Sequence, residues 1–218
     1  TDGVLMHYRT RTVMRSAKTL TTRHDLKEGV LRVIDELAIQ DTEPVALVGI
    51  SSTLATNSIA EGKARPVGLL LIGYDAGLVE QYGLAEKLPA DAFEYFAGGH
   101  TSQGAEKAPL DEGAVRAWVE AHRDAVDAFA VSSYFSPLNP EHEERVLAII
   151  AEVCDRPVVL GHQLSTKLDS IKRAATASIN ASLVAVMQDF IQAVRASLAA
   201  RGIGAPLLIV RGDGTLMP

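Results

Sequence analysis

The chain has 218 residues, 47% of them hydrophobic, with 27 acidic against 21 basic residues, a formal net charge of −6 and one cysteine. That length can bury roughly 70% of its unfolded surface, enough for one sizeable core. An acidic balance without a basic cluster excludes nucleic acid as an expected partner. No uninterrupted apolar run reaches ~18 residues, so no membrane span is expected, and the lone Cys154 fits a reducing, cytoplasmic compartment.

Taken in order, residues 3–8 and 11–18 alternate apolar and polar around Arg9-Thr10, the pattern of an antiparallel hairpin. Residues 21–25 offer caps for a helix carrying Leu26, Val30, Val33, Ile34 and Leu37 at helical spacing. Residues 45–50 form a continuous, β-branched apolar run, which reads as a strand covered on both faces. Ser51, Ser52 and Thr53 then turn the chain into a helix expected to end near Gly62. Hydroxyls and backbone N–H groups at such a helix start favour anions or the oxygens of a polar substrate. A plain helix cap at Ser52 or Thr53 is the commoner job of these residues.

Residues 66–72 are a second wholly apolar strand. The stretch 73–104 reads poorly: short helical signals at 78–82 and 91–95 precede Gly98-Gly99-His100-Thr101-Ser102-Gln103-Gly104. A helix follows at 111–121, a strand at 127–134, a helix at 140–153 opened by Glu141, Glu143 and Glu144, and a strand at 157–160. Residues 166–201 predict one long helix. Thr166 and Asp169 have capping-box spacing, and Leu168, Ile171, Ala175, Ile179, Leu183, Val186, Phe190, Val194 and Leu198 form an apolar stripe. The small residues of its first half (Ala174, Ala175, Ala177, Ser178, Ala181, Ser182) allow another backbone to come close. Residues 207–210 are the last strand. Strand–helix repetition of this kind predicts an α/β layered fold with a largely parallel sheet.

Few residues stand out chemically. Gly49-Ile50-Ser51-Ser52-Thr53 lacks the second glycine of a nucleophile elbow. His100 sits on a glycine loop and His162 at a strand end; neither has partners at metal spacing, and no metal site is expected. His142, in a helix's first turn with Asn139 as a cap, is expected to be structural. Gly212-Asp213-Gly214 ends a strand where parallel sheets bind ligands, although a tight turn explains it equally well. Arg173 interrupts a small, apolar helix face. A buried guanidinium needs a partner, either a substrate carboxylate or an Asp.

Four segments, in order, resemble the hydantoinase/oxoprolinase family. Ser52-Thr53-Leu54-Ala55-Thr56-Asn57-Ser58 is similar to its Thr-Thr-Val-Ala-Thr-Asn-Ala turn. Ser136-Pro137-Leu138-Asn139-Pro140-Glu141-His142-Glu143 is similar to its Leu-Asn-Pro-x-His-Glu motif. Arg173-Ala174-Ala175-Thr176-Ala177-Ser178-Ile179-Asn180-Ala181 and Leu207-Leu208-Ile209-Val210-Arg211-Gly212-Asp213-Gly214-Thr215-Leu216-Met217 match its later helix and strand-turn. Thr215 departs from the family's usual Gly. The resemblance implies a ribonuclease-H-like lobe of the actin, Hsp70 and sugar-kinase type, built from about 1–63 and 165–218, with an inserted α/β subdomain at about 64–164.

The resemblance further implies an ATP-dependent hydrolase opening a cyclic amide of the hydantoin or 5-oxoproline type, using ATP and Mg²⁺. Thr1, Asp2, Asp213 and Gly214 would then contact the nucleotide, and Ser52, Thr53, Thr56, Asn57, Arg173 and His100 the substrate. A second ATPase lobe of the same protein and a second subunit of hydantoinase B type are the implied partners. The alternatives are a subunit of an acetone- or acetophenone-type carboxylase, or a non-catalytic module of the same fold. Both ends of the chain look cut, so a fragment of a longer protein is expected, able to fold without turning over ATP by itself.

Overall fold

The computed structural model describes residues 1–20, 26–39, 44–60, 65–81, 88–210 and 215–217. In chain order the elements are β1 (Asp2–His7), β2 (Thr12–Lys18), α1 (Leu26–Glu36), β3 (Val48–Ile50), α2 (Leu54–Ala60), β4 (Val67–Ile72), α3 (Ala76–Gln81) and β5 (Ala92–Phe96). There follow α4 (Glu112–His122), β6 (Ala128–Ser133), α5 (Glu141–Val153), β7 (Val158–Leu160), α6 (Gly161–Leu164), α7 (Ser170–Ala200), β8 (Leu207–Val210) and β9 (Leu216–Met217). They divide into two compact units, Thr1–Thr56 with Met187–Pro218, and Asn57–Val186.

In the first unit β1 and β2 pair antiparallel, as the alternation predicts, with a register irregularity between Leu5 and Met6. Gly3 admits α1 against this hairpin, because a Cβ there would lie 2.1 Å from Val33 Cγ1. Among the described residues the hairpin pairs with no further strand; β3 pairs parallel with β8, and β8 antiparallel with β9. Phe190, Val194, Leu198 and Leu207 form this unit's core, with Val30, Ile34, Val48 and Ile50 packed on it. Arg201 of the chain after α7 holds Asp35 of α1 through two hydrogen bonds of 2.6 and 2.9 Å. The run at 45–50 is corrected on two counts: only Val48–Ile50 is strand, and its faces are half-covered, with Leu47 exposed. Apolar continuity cannot say how many faces have neighbours.

The second unit holds the strands that are covered on both faces. Its sheet runs β5-β4-β6-β7, every pair parallel. All six residues of β4 and all six of β6 are buried. Val67, Leu69, Leu71, Ala128 and Ala130 face α7, while Leu70, Ile72, Phe129 and Val131 face α4 and α5, the two-residue period of a strand. The helical signal at 91–95 is overturned: these residues are β5, since pairing with β4 supplies hydrogen bonds that local propensity cannot foresee.

Helix α7 is capped by Asp169, whose Oδ1 accepts the Lys172 N–H at 3.1 Å, and not by Thr166. Its predicted stripe holds in the half that includes Phe190, Val194 and Leu198. In the other half it is displaced, for Ala174, Ala177, Ser178 and Ala181 are buried whereas Leu168 and Ile179 are exposed. Small side chains set against Ala128 and Ala130 let helix and sheet approach closely, so the small face wins the core. Among the described residues α7 is the one helix long and apolar enough, by length and composition, to cross a membrane. Ala174, Ala177, Ala181 and Ala185 of this helix pack in the second unit's core, and Phe190, Val194 and Leu198 in the first unit's.

The small face generates a test. Ala177→Leu should destabilise the chain by about 1–3 kcal/mol through overpacking. Ile179→Ala, on the exposed side, should stay within about 0.5 kcal/mol of the parent. Urea unfolding of both variants measures the difference, and the sequence-predicted stripe would require the reverse order.

Candidate functional site

The second sheet changes winding direction between β4 and β6, because the chain leaves β4 for β5 on one side and β6 for β7 on the other. Open α/β sheets bind ligands outside the carboxyl ends of strands at such a point. Backbone bonds knit this edge together: Gly73 N–H to Phe96 O at 2.8 Å, Tyr134 N–H to Ile72 O at 2.9 Å, and His100 N–H to Tyr134 O at 3.0 Å. The approach is close enough to demand glycine. Gly73 has φ +72°, and a Cβ on it would stand 2.6 Å from Gly98 O.

Glu143 sits in the first turn of α5 and is wholly buried. Its Oε1 accepts the Ser133 N–H at 2.8 Å; its Oε2 accepts the His162 N–H at 2.9 Å and meets His162 Nδ1 at 2.7 Å. A carboxylate only accepts, so Nδ1 carries a hydrogen toward Glu143; in the neutral form of the ring the lone pair then lies on Nε2. The His162 side chain is 18% exposed. The carboxylate therefore joins the ends of β6 and β7 and selects one tautomer of a reachable imidazole. Such a histidine can accept a hydrogen bond, shuttle a proton or ligate a metal.

Arg173 reaches the same edge from α7. Its Nη1 donates to Lys167 O and its Nη2 to Ser133 O, both at 2.9 Å. Among the described residues Arg173 makes no ion pair with an Asp, and backbone carbonyls hold its guanidinium. Glycine at 161 makes room for both buried charges, since a Cβ there would lie 3.1 Å from Arg173 Cγ and 3.2 Å from Glu143 Oε1. Tyr74 completes this side. Its hydroxyl donates to Ser170 O at 2.8 Å, so Ser132 Oγ donates to it, also at 2.8 Å. Burial pushes the Tyr74 phenol up to about 12, keeping it a neutral donor at physiological pH.

His100 is buried, its ring 4.4 Å from that of His142. Neither of its ring nitrogens has a partner among the described residues. Burial, and then the neighbouring His142, hold its pKa below the ordinary histidine value. His142 accepts the Gly99 N–H on Nδ1 at 2.9 Å, which leaves Nε2 to donate to Glu106 Oε1 at 3.1 Å. His142 is thus a loop clamp, in line with the structural role expected of it. Asn139 assists in the first turn by accepting the Glu141 N–H at 3.0 Å.

The other predicted residues are distributed differently. In the first unit the Thr1 amino group donates to Thr19 O, and Asp2 pairs with Lys18 at 3.2 Å. Ser52 Oγ accepts the Leu54 N–H at 3.0 Å, the capping alternative, and Thr53 is exposed beside it. Thr56 and Asn57 lie on α2, Asn57 exposed. Asp213 and Gly214 lie outside the described residues. Sequence reasoning missed Glu143 and Tyr74 as site residues. Glu143 was legible as a charge suiting a helix start and as the last residue of the Leu-Asn-Pro-x-His-Glu match, and Tyr74 falls in the stretch that reads poorly.

Residues 1–154 match the family described as hydantoinase/oxoprolinase N-terminal region. Over 225 residues the chain is 28% identical to the caprolactamase subunit alpha of Pseudomonas jessenii, an overlap covering 92% of this chain and 32% of that protein. It is 29% identical over 233 residues to the acetophenone carboxylase gamma subunit of Aromatoleum aromaticum, covering 91% and 32%. The crystal structure of the ATP-dependent caprolactamase from Pseudomonas jessenii matches with a TM-score of 0.73 at 27% identity, over 100% of this chain and 35% of that one. Nucleotide-free acetone carboxylase shares the fold, with a TM-score of 0.69 at 15% identity over 93% of this chain and 33% of that one. The chain spans about a third of the length of the curated relatives it matches.

His100 generates a pH prediction. Its folded pKa lies below the unfolded value of about 6.5, so between the two the unfolded chain binds more protons. Stability should therefore rise with pH through that window and be lost on acidification below about 6.5. His100→Phe should flatten this slope. Melting temperatures of both proteins at several pH values between about 5 and 8 measure it.

Proposed function

We propose that this chain, which belongs to the hydantoinase/oxoprolinase family, is the N-terminal part of an ATP-dependent enzyme that opens a cyclic amide. One observation carries the reading: the caprolactamase structure covers the whole chain at a TM-score of 0.73 and 27% identity. That relative is an ATP-dependent caprolactamase by name; a hydantoin, a 5-oxoproline or another lactam are the corresponding substrates here. The finer architecture proposed is a ribonuclease-H-like lobe of actin, Hsp70 and sugar-kinase type, with the α/β subdomain of about 64–164 inserted in it.

ATP with Mg²⁺ is the proposed cofactor. Thr1 and Asp2 bring hydroxyl and carboxylate oxygens, the hard donors that suit a magnesium-bound phosphate. Asp2 is free to serve, since its pairing with Lys18 is a surface ion pair of exposed side chains and of little energetic consequence. Asp213 and Gly214 are proposed to contact the nucleotide as well, and Ser52, Thr53, Thr56 and Asn57 the polar substrate. Bound ATP would supply a phosphoryl group to the amide oxygen. A second lobe of the same protein and a second subunit, of hydantoinase B type, would complete the enzyme in the cytoplasm. The subunit names of the two relatives support a multi-subunit assembly.

The second reading is an ATP-dependent carboxylase acting on a ketone, favoured by the 29% identity to the acetophenone carboxylase gamma subunit. Purified full-length protein with its second subunit, assayed for ATP hydrolysis, separates the two. Stimulation by caprolactam, hydantoin or 5-oxoproline is the expected result. Stimulation only by acetone or acetophenone with bicarbonate would select the carboxylase. Turnover with neither set would leave a non-catalytic module.

A further inference from the structure

The loop that leaves β5 crosses the end of β4 before it reaches β6. Phe96 O accepts the Gly73 N–H at 2.8 Å, and further on the His100 N–H donates to Tyr134 O at 3.0 Å. In the sheet β4 lies between those two attachments, so residues 97–99 pass over its carboxyl end. Gly98 and Gly99, at φ 138° and 82°, give the crossing a hinge. Beyond it the loop folds back on itself. Thr101 N–H bonds Ala105 O at 2.8 Å, and Lys107 N–H bonds Gly99 O at 2.9 Å. His142 of α5 fastens both ends of this loop, accepting the Gly99 N–H on Nδ1 and donating from Nε2 to Glu106. Asn139 holds the middle, its Nδ2 donating to Gly104 O at 3.1 Å.

A backbone N–H can only donate, so His142 Nδ1 offers a bare lone pair and the ring is neutral in this arrangement. Protonation would place a hydrogen on each ring nitrogen, and no flip of the ring would then give Gly99 an acceptor. A permanent clamp needs no more than this one imidazole. Yet the ring beside it belongs to a second histidine, His100, which is wholly buried and has no side-chain hydrogen bond among the described residues. A phenylalanine would fill that space; what an imidazole adds is charge on acidification. Glu106 of the loop and Glu141 of α5 favour the charged form of His100, but burial and His142 outweigh them. Lys107 is turned over the Tyr134 ring, and Glu143 toward Ser133 and His162.

We propose that residues 98–107 form an acid-released strap across the carboxyl edge of the second sheet, with neutral His142 and His100 as its catch. The closed strap keeps a further proton off both rings, whereas an open strap exposes them to water, where histidine titrates at about 6.5. Opening is therefore linked to proton uptake and favoured by acid. Between about pH 7.5 and 5.5 its equilibrium constant should rise up to about tenfold for each histidine released, and about a hundredfold for the pair. Hydrogen exchange of the full-length protein measures this rise. Deuterium uptake by the segment 97–107 is followed by mass spectrometry and corrected for the intrinsic exchange rate at each pH. His142→Asn keeps an acceptor for the Gly99 N–H but cannot titrate, so its rise should shrink to about tenfold. The wild-type profile decides alone if that variant fails to fold. A wild-type rise below about tenfold, a His142→Asn rise equal to the wild type's, or parallel exposure of β4 and β6 would each overturn the strap.

Discussion

The second unit depends on a carboxylate that has been taken out of water. Burying an unpaired Glu would cost several kcal/mol, and Glu143 is buried completely. Three donors compensate it, two from the backbone ends of β6 and β7 and one from the His162 ring. The same bonds that make the charge tolerable hold two strand ends together where the ladder between them stops. Removing either partner would strand the other, so the geometry of His162 is as firm as the sheet itself.

That arrangement needs a close approach from the opposite face. Arg173 can reach the Ser133 carbonyl because α7 presents small residues to small residues, Ala174 and Ala177 against Ala128 and Ala130. Gly161 leaves space for both buried charges, and Gly73, Gly98 and Gly99 let the loops beyond β4 and β5 lie against each other. Packing and electrostatics are therefore one problem here. The helix that closes the core also delivers the cation whose donors satisfy carbonyls beside the carboxylate.

The two units carry different chemistry. The first presents hydroxyls and a carboxylate near exposed backbone, among them Ser52, Thr53 and Asp2. The second presents a buried, hydrogen-bonded polar edge at a sheet switch point. The chain belongs to the hydantoinase/oxoprolinase family and holds about a third of the length of its curated relatives.

Periodicity alone determined much of the architecture. The hairpin, α1, α4, α5, the buried strands β4 and β6, the shorter β7, and the extent of α7 follow from period-two and period-3.6 patterns in residues whose local preferences agree with their neighbours. The family, too, was legible, because four short motifs lie in order along the chain. Tertiary structure decided the rest. Residues 92–96 became a strand only because β4 lies beside them, and 45–50 was less covered than its apolar run implied. The buried side of α7 rotated onto its alanines because the facing strand is small as well. Glu143 read as a helix-start charge, and Arg173 as a cation awaiting a carboxylate. Their partners come from residues 6 to 40 positions away in sequence, and no local pattern encodes which strand ends will meet around a buried charge.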